Sequence, residues 1–304
     1  MISAVLYTDA ACPWAYSAIP ALRALDWRYG DQLQWRLVVI GLTEHASQYA
    51  ERGYTPLSAA AGRAGFRDRF GMPLAATPKA RVAGTSRACR VIAAARLDAP
   101  GSEWRVLRAL QLANFTTPML LDEDRDLAAA LRDVPGVDGD ALVARIDDTD
   151  VTAAYERDRA EARTAAGSPA ELQGKTARTD GPVRFTAPSL VLERDGARLV
   201  AGGWQPLAAY DVLVANLDPG LRREPPPDGP EPLLRRFPDG LTTQEAAVLM
   251  ARGNDDPDRA ATELALLRLV AEGTAARVPM PTTPSGWRAA PEARVLRRAA
   301  RRAP

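Results

Sequence analysis

The feature that most constrains the fold lies in the first forty or so residues. A short apolar run, Ile2 to Tyr7, is followed by Asp9, by the pair Cys12-Pro13, and then by Ile19, Leu22 and Leu25 at helical spacing, with Trp27 extending that side. Proline just inside a helix start is well placed, because the first turn needs no donor there and its φ already suits the helix. Leu33-Gln34-Trp35-Arg36-Leu37-Val38-Val39-Ile40 then alternates before becoming wholly apolar, as a strand entering a buried sheet does. The chain opens as a β-α-β unit.

From Glu44 to Thr179 strand signals give way to helical ones, with apolar segments at Val91 to Leu97, Trp104 to Leu112, Leu127 to Leu131 and Leu142 to Ile146. Residues 167–182, rich in Gly, Pro and Thr, read as a loop. Strands return at Ser189 to Glu193 and Arg198 to Ala201 around the turn Asp195-Gly196, which predicts a hairpin, and a last helix follows over Leu207 to Asn216. The order β-α-β, helical block, β-β-α is that of a thioredoxin-like α/β fold with a helical domain inserted in its middle. The expected domains are 1–43 with 183–220 for the thioredoxin-like unit and 44–182 for the insertion. A Pro-rich linker over 221–240 then leads to a separate module over 241–290 and a basic tail over 291–304.

Cys12 opens the first helix. Unpaired amides and the positive end of the helix dipole favour an anion there, so a thiolate nucleophilic near neutral pH is expected, against the alternative of an inert small hydrophobe. The segment Tyr7-Thr8-Asp9-Ala10-Ala11-Cys12-Pro13-Trp14-Ala15-Tyr16 resembles the active-site segment of the DsbA-like branch of the thioredoxin superfamily, which typically carries Cys-Pro-Trp-Cys. Phe185-Thr186-Ala187-Pro188-Ser189 resembles that family's cis-proline loop, and Gly202-Gly203-Trp204-Gln205-Pro206 its closing motif. The resemblance implies that Cys12 is catalytic, that Pro13, Trp14, Ala187 and Pro188 form the substrate platform, and that Ala187 sits against the sulfur.

One departure narrows the chemistry. Ala15 stands where disulfide-exchanging members carry their resolving cysteine. A lone thiol cannot release a mixed disulfide by intramolecular attack, so a Cys-x-x-Cys cycle is excluded at this motif. What remains is monothiol exchange with glutathione or mycothiol as co-substrate, attack on a protein mixed disulfide, or sulfenic acid formation. Cys89, the only other cysteine, is either a resolving thiol or a buried helix residue. His45, the only histidine, is either a base or polar surface.

Composition supplies exclusions. The formal net charge of +1 over 304 residues favours no nucleic acid or membrane partner. One histidine and two separated cysteines make no metal cluster, and no bound cofactor is expected. Without a signal-peptide pattern or a run of about 18 apolar residues, the expected location is the cytoplasm. Helix, helix and two short strands over 241–290 give the C-terminal module a winged-helix-like outline. Five Arg against six Asp and Glu deny it a basic footprint, which favours packing or partner recognition. Two functions stay open: a single-cysteine thiol oxidoreductase, or a non-catalytic DsbA-like adaptor that presents a client. A thiol-dependent isomerase or transferase resembling the 2-hydroxychromene-2-carboxylate isomerases is a variant of the first, although those usually have serine at the place of Cys12.

Overall fold

The computed structural model describes residues 1–253, 255–280 and 283–289, without the side chains of 279, 280 and 283–289. Strand β1 (Ile2–Thr8) leads into helix α1 (Pro13–Tyr29) and strand β2 (Leu33–Val39). The insertion carries α2 (Ser47–Glu51), α3 (Pro56–Phe70), α4 (Ser86–Asp98), α5 (Glu103–Thr116), α6 (Asp124–Leu131), α7 (Gly139–Ala144), α8 (Thr149–Ala162) and α9 (Pro169–Leu172). It ends in a two-stranded ladder of β3 (Thr176–Ala177) with β4 (Arg184–Phe185). The stretch expected to be a plain loop therefore contains α9 and β3, elements of four and two residues that are too short to show a period.

The return to the sheet follows as β5 (Ser189–Arg194), β6 (Ala197–Gly202) and α10 (Leu207–Leu217). The β5-β6 turn places Asp195 and Gly196 at φ 49° and 81°, the left-handed pair that a two-residue hairpin needs. Sheet order is β2-β1-β5-β6, with β1 parallel to β2 and antiparallel to β5. The first strand is thus central, which explains its apolar run: Ile2, Ala4 and Leu6 enter one core while Val5 and Tyr7 enter another on the opposite face. Leu6 lies in register with Leu37 on one side and Leu190 on the other.

The C-terminal segment differs from the separate module expected. Part of the supposed linker is helix α11 (Glu231–Arg236), followed by α12 (Thr243–Met250), α13 (Arg259–Glu272) and the hairpin of β7 (Ala275–Met280) with β8 (Thr283–Ala289). The Pro-rich stretch before it is pinned to the body: Trp27 Nε1 donates to Pro225 O at 2.8 Å and Glu224 N to Arg28 O at 2.8 Å. Leu233, Leu234, Phe237, Leu241, Ala246 and Leu249 share one core with Ala24 of α1. Arg294, Arg297, Arg298, Arg301 and Arg302 of the tail lie outside the described residues.

One carboxylate fixes this docking. Glu245, the N3 residue of α12, accepts from Thr242 N at 2.7 Å in a capping box and is fully buried. It also takes a two-pronged ion pair from Arg108 of α5, at 2.5 and 2.9 Å, with Arg23 of α1 at 3.7 Å. Burial opposes the charge, but the two guanidiniums and the Thr242 amide outweigh it and hold the carboxyl below the usual glutamate range. Long-range pairing of this kind leaves no mark in local sequence pattern, so the segment looks detachable when it is not.

Removing one partner of such a pair strands the other, at a cost of about 3–5 kcal/mol. Glu245→Ala should lose that much in urea unfolding at pH 7. The gap between wild type and Glu245→Gln should be complete above the ordinary glutamate range and shrink as pH falls through the depressed folded value. A loss under 1 kcal/mol would mean that the docking rests on the apolar core instead.

Candidate active site

The site is assembled where the end of β1, the start of α1 and the loop before β5 converge. Cys12 is the N-cap of α1, at φ −82° and ψ 116°, with Pro13 beginning the helix. Its Sγ donates to the carbonyl of Ala187 at 3.0 Å, across 175 residues of chain, and Ala187–Pro188 is a cis peptide. Ala15 is buried one turn into the helix, so the position of a resolving thiol is filled by a methyl group.

The electrostatics of Cys12 reverse the expectation. Only 6% of the residue is exposed, and burial, with a smaller contribution from the Asp9 carboxylate, pushes the thiol up to about 12. The amides of Ala15 and Trp14 and the charge of Arg184 pull the other way but do not prevail. The helix terminus does act on the sulfur as the sequence suggests; desolvation of the anion is the larger effect. In this closed arrangement Cys12 is a neutral thiol.

Asp9 is the residue that motif reading passed over. Fully buried, it accepts from Ala11 N at 2.8 Å through Oδ1, and from Leu42 N and Thr85 Oγ1 at 3.0 Å each through Oδ2. Burial raises its own pKa against these donors. Cys89 Sγ lies 3.5 Å from the same Oδ2, with no exposure, and does not border the cleft in front of Cys12. Both cysteines are free. The local signal for Asp9 was an Asx residue two positions ahead of an amide it caps.

That cleft, about 460 Å³, opens between Cys12 and the inserted helices. Trp14, 40% exposed, stands edge-on to Phe66 (4.8 Å) and Phe70 (5.7 Å) of α3, and Phe70 packs on Trp204 of the closing motif at 4.9 Å. Arg52, Arg63, Lys79, Arg81 and Arg184 line the cleft, and among the described residues no carboxylate does. Arg81 is paired with Asp122 and Glu123, and Arg184 lies near Asp180. Among the described residues, Arg63 bonds only the carbonyls of Ala75 and Thr77, and Lys79 only Asn114 Oδ1 and Met119 O. Burial and the nearby Arg63 push the Lys79 ammonium down to about 7. His45 is exposed on the turn after β2 and does not line the cleft.

Among the described residues no cluster of three His, Cys, Asp or Glu is placed to hold a metal, and no helix is long and apolar enough to cross a membrane.

Two measurements probe this geometry. Alkylation of Cys12 in the native protein should accelerate about tenfold per pH unit from pH 7 to 10, without a plateau, because only the thiolate reacts; saturation below pH 8 would contradict a thiol held neutral by burial. In Asp9→Asn, one acceptor oxygen becomes a donor facing donors, so stability should fall by about 1–3 kcal/mol. An unchanged melting midpoint would show that Asp9 does not tie these segments together.

Comparison with known proteins agrees with the architecture. No curated protein matches the sequence. Among solved structures, a Streptomyces coelicolor protein described as a probable DsbA oxidoreductase, SCO1869, is 18% identical with TM-score 0.54, over 72% of this chain and 91% of that one. The cytosolic disulfide reductase DsbM from Pseudomonas aeruginosa is 18% identical with TM-score 0.48, over 70% and 99%. A 2-hydroxychromene-2-carboxylate isomerase is 15% identical with TM-score 0.43, over 71% and 95%. At 18% identity, what the Streptomyces coelicolor protein shares with this chain is the fold. A family model for the DSBA-like thioredoxin domain matches residues 4–174, more than half of the chain, and together with the sheet order and the contact of Cys12 with the carbonyl of Ala187, before the cis Pro188, it identifies the protein as a member of the DsbA-like thioredoxin family.

Proposed function

We propose that the protein is a single-cysteine thiol–disulfide exchange enzyme acting in the cytoplasm on mixed disulfides of a small, carboxylate-bearing thiol. The observation that carries this reading is the cleft itself: one cysteine at its floor, and cations without carboxylate partners on its walls. Cys12 is the nucleophile, the backbone around Ala187 and Pro188 is the platform, and Arg63 and Lys79 are the anion-recognition groups. Glutathione, with two carboxylates, suits those cations better than mycothiol does.

In the exchange, the Cys12 thiolate attacks the sulfur of the small thiol within the mixed disulfide. The bond between the two substrate sulfurs breaks, the departing thiolate takes a proton, and Cys12 carries the small thiol. A second small thiolate attacks that adduct, giving the symmetric small-molecule disulfide and returning Cys12. With Ala15 in place of a second thiol, the second molecule must come from solution. Because the resting thiol is neutral, ionisation accompanies substrate entry, when the contact to the Ala187 carbonyl is exchanged for contact with the substrate.

The raised pKa of Cys12 supports a second reading, an adaptor whose cleft binds a client without chemistry. Turnover decides between them. With glutathione and hydroxyethyl disulfide, wild type should show saturable exchange that Cys12→Ser abolishes. Arg63→Ala combined with Lys79→Ala should raise KM for the glutathione mixed disulfide by about tenfold, in keeping with loss of one charged hydrogen bond or more. Wild-type KM should climb as pH rises through about 7, where Lys79 loses its charge. Absence of turnover with both glutathione and mycothiol disulfides would leave the adaptor.

A further inference from the structure

Helix α13 is apolar on two opposite sides. On one, Thr262 and Leu266 are buried, and Leu269 and Val270 pack against the core shared with α1. Roughly opposite, at about 100° per residue, stand Leu264 and Leu267, 52% and 42% exposed, with the exposed Ala260 and Ala271 extending the same line. A surface helix ordinarily carries one apolar stripe, turned to its own core, and a helix apolar all round is one that packs on more than one side. Exposed leucines scattered singly need no explanation. These two are aligned.

Their spacing selects the cover. Ala260, Leu264, Leu267 and Ala271 follow one another at intervals of four, three and four residues, which is the d-a-d-a seam of two heptads. Such a seam inserts its side chains into the holes of a matching seam, and an identical helix supplies one. The flanking charges then set the direction. With Leu264 at a, Glu263 falls at g and Arg268 at e. In a parallel pair a g residue meets the e residue five positions on in the other helix, so Glu263 meets Arg268 of a second copy, and the two-fold axis repeats the pair. In an antiparallel pair g runs alongside g and e alongside e, so these two residues stay on opposite edges of the seam.

Within one chain these charges do not serve each other, because side chains three and four apart are neighbours on a helix and side chains five apart are not. Arg268 is exposed and has no hydrogen bond or ion pair among the described residues. Glu263 reaches only the edge of contact with Arg277, at 3.5 Å. Two heptads are too few to hold free peptides together, since each must first pay for helix nucleation. Here α13 is already folded by its other side, and Asp258 caps its start by accepting from Ala261 N at 2.9 Å.

We propose that α13 is a dimerisation surface, which pairs in parallel and in register with α13 of a second copy of this chain through Leu264 and Leu267, with a Glu263–Arg268 ion pair on each edge. A seam this short belongs to the low end of specific interfaces, so the dimer forms reversibly. The Cys12 cleft draws no lining residue from α13, and the pairing can be tested apart from the exchange chemistry.

The test is sedimentation equilibrium of the full chain from micromolar to submillimolar concentration. Wild type should fit a reversible monomer–dimer equilibrium. Leu264→Lys combined with Leu267→Lys should stay monomeric throughout; both positions are exposed, and an unchanged circular dichroism spectrum checks that the fold is kept. Glu263→Arg alone and Arg268→Glu alone should each raise the dimer dissociation constant about tenfold, because each reversal replaces two attractions by two repulsions. The two reversals together should restore it to within about twofold of wild type. Leu264→Cys should join to its own copy through residue 264 on mild oxidation, as an a position does in a parallel pair, whereas wild type, whose two cysteines are buried, should not. The proposal is overturned by a monomer at every concentration, by a dimer that survives the paired lysines, by single reversals without effect or without mutual rescue, or by failure of Leu264→Cys to join to its own copy.

Discussion

Much of this architecture hangs on the Asp9 carboxylate. Its two oxygens tie together the turn that delivers Cys12, the chain leaving β2 at Leu42 and the start of α4 at Thr85. The thioredoxin-like unit and its helical insertion meet at this buried group, and again where Val39 N of β2 donates to the buried Asp158 of α8. A hydroxyl or amide side chain offers fewer acceptor sites, whereas an ionised carboxylate has about four lone-pair positions on two oxygens. Its cost is desolvation, seen in its raised pKa and in the opposing effect that its charge has on the neighbouring thiol.

Cys12 shows how two familiar effects compete. A helix N-terminus stabilises an anion by an amount typically below about 2 kcal/mol. Removing a thiolate from water can outweigh that, and here the sulfur is shut in by the Ala187 loop. The same carbonyl that hydrogen-bonds the thiol needs an S–H to accept from, so it stabilises the protonated form. The closed site is therefore organised around a resting thiol and not a standing nucleophile.

How much of this could be read in advance depends on the range of the interaction. The β-α-β opening, the hairpin at Asp195-Gly196 and the order of the landmarks around Cys12, Pro188 and Trp204 were legible, since each rests on local pattern, turn chemistry or family resemblance. Helix α8 was not, because its buried face is Val151, Ala154, Tyr155, Asp158 and Ala162, a stripe too polar and too small-residued to register as apolar period. Docking of the C-terminal helices was missed because Arg108 and Glu245 are 137 residues apart. The cationic wall of the cleft was invisible because it is assembled from Arg52, Arg63, Lys79, Arg81 and Arg184, which no local pattern brings together.

The contact between Cys12 and the Ala187 carbonyl has a consequence for synthesis. The thiol leaves the ribosome 175 residues ahead of its cover, which pairs with β1 only through β5. Until that segment arrives, Cys12 is a solvent-exposed cysteine with an ordinary acidity, open to any passing oxidant or electrophile. The nascent chain is consequently more vulnerable at this atom than the finished protein, and the reducing power of the compartment where translation takes place protects the site before the fold can.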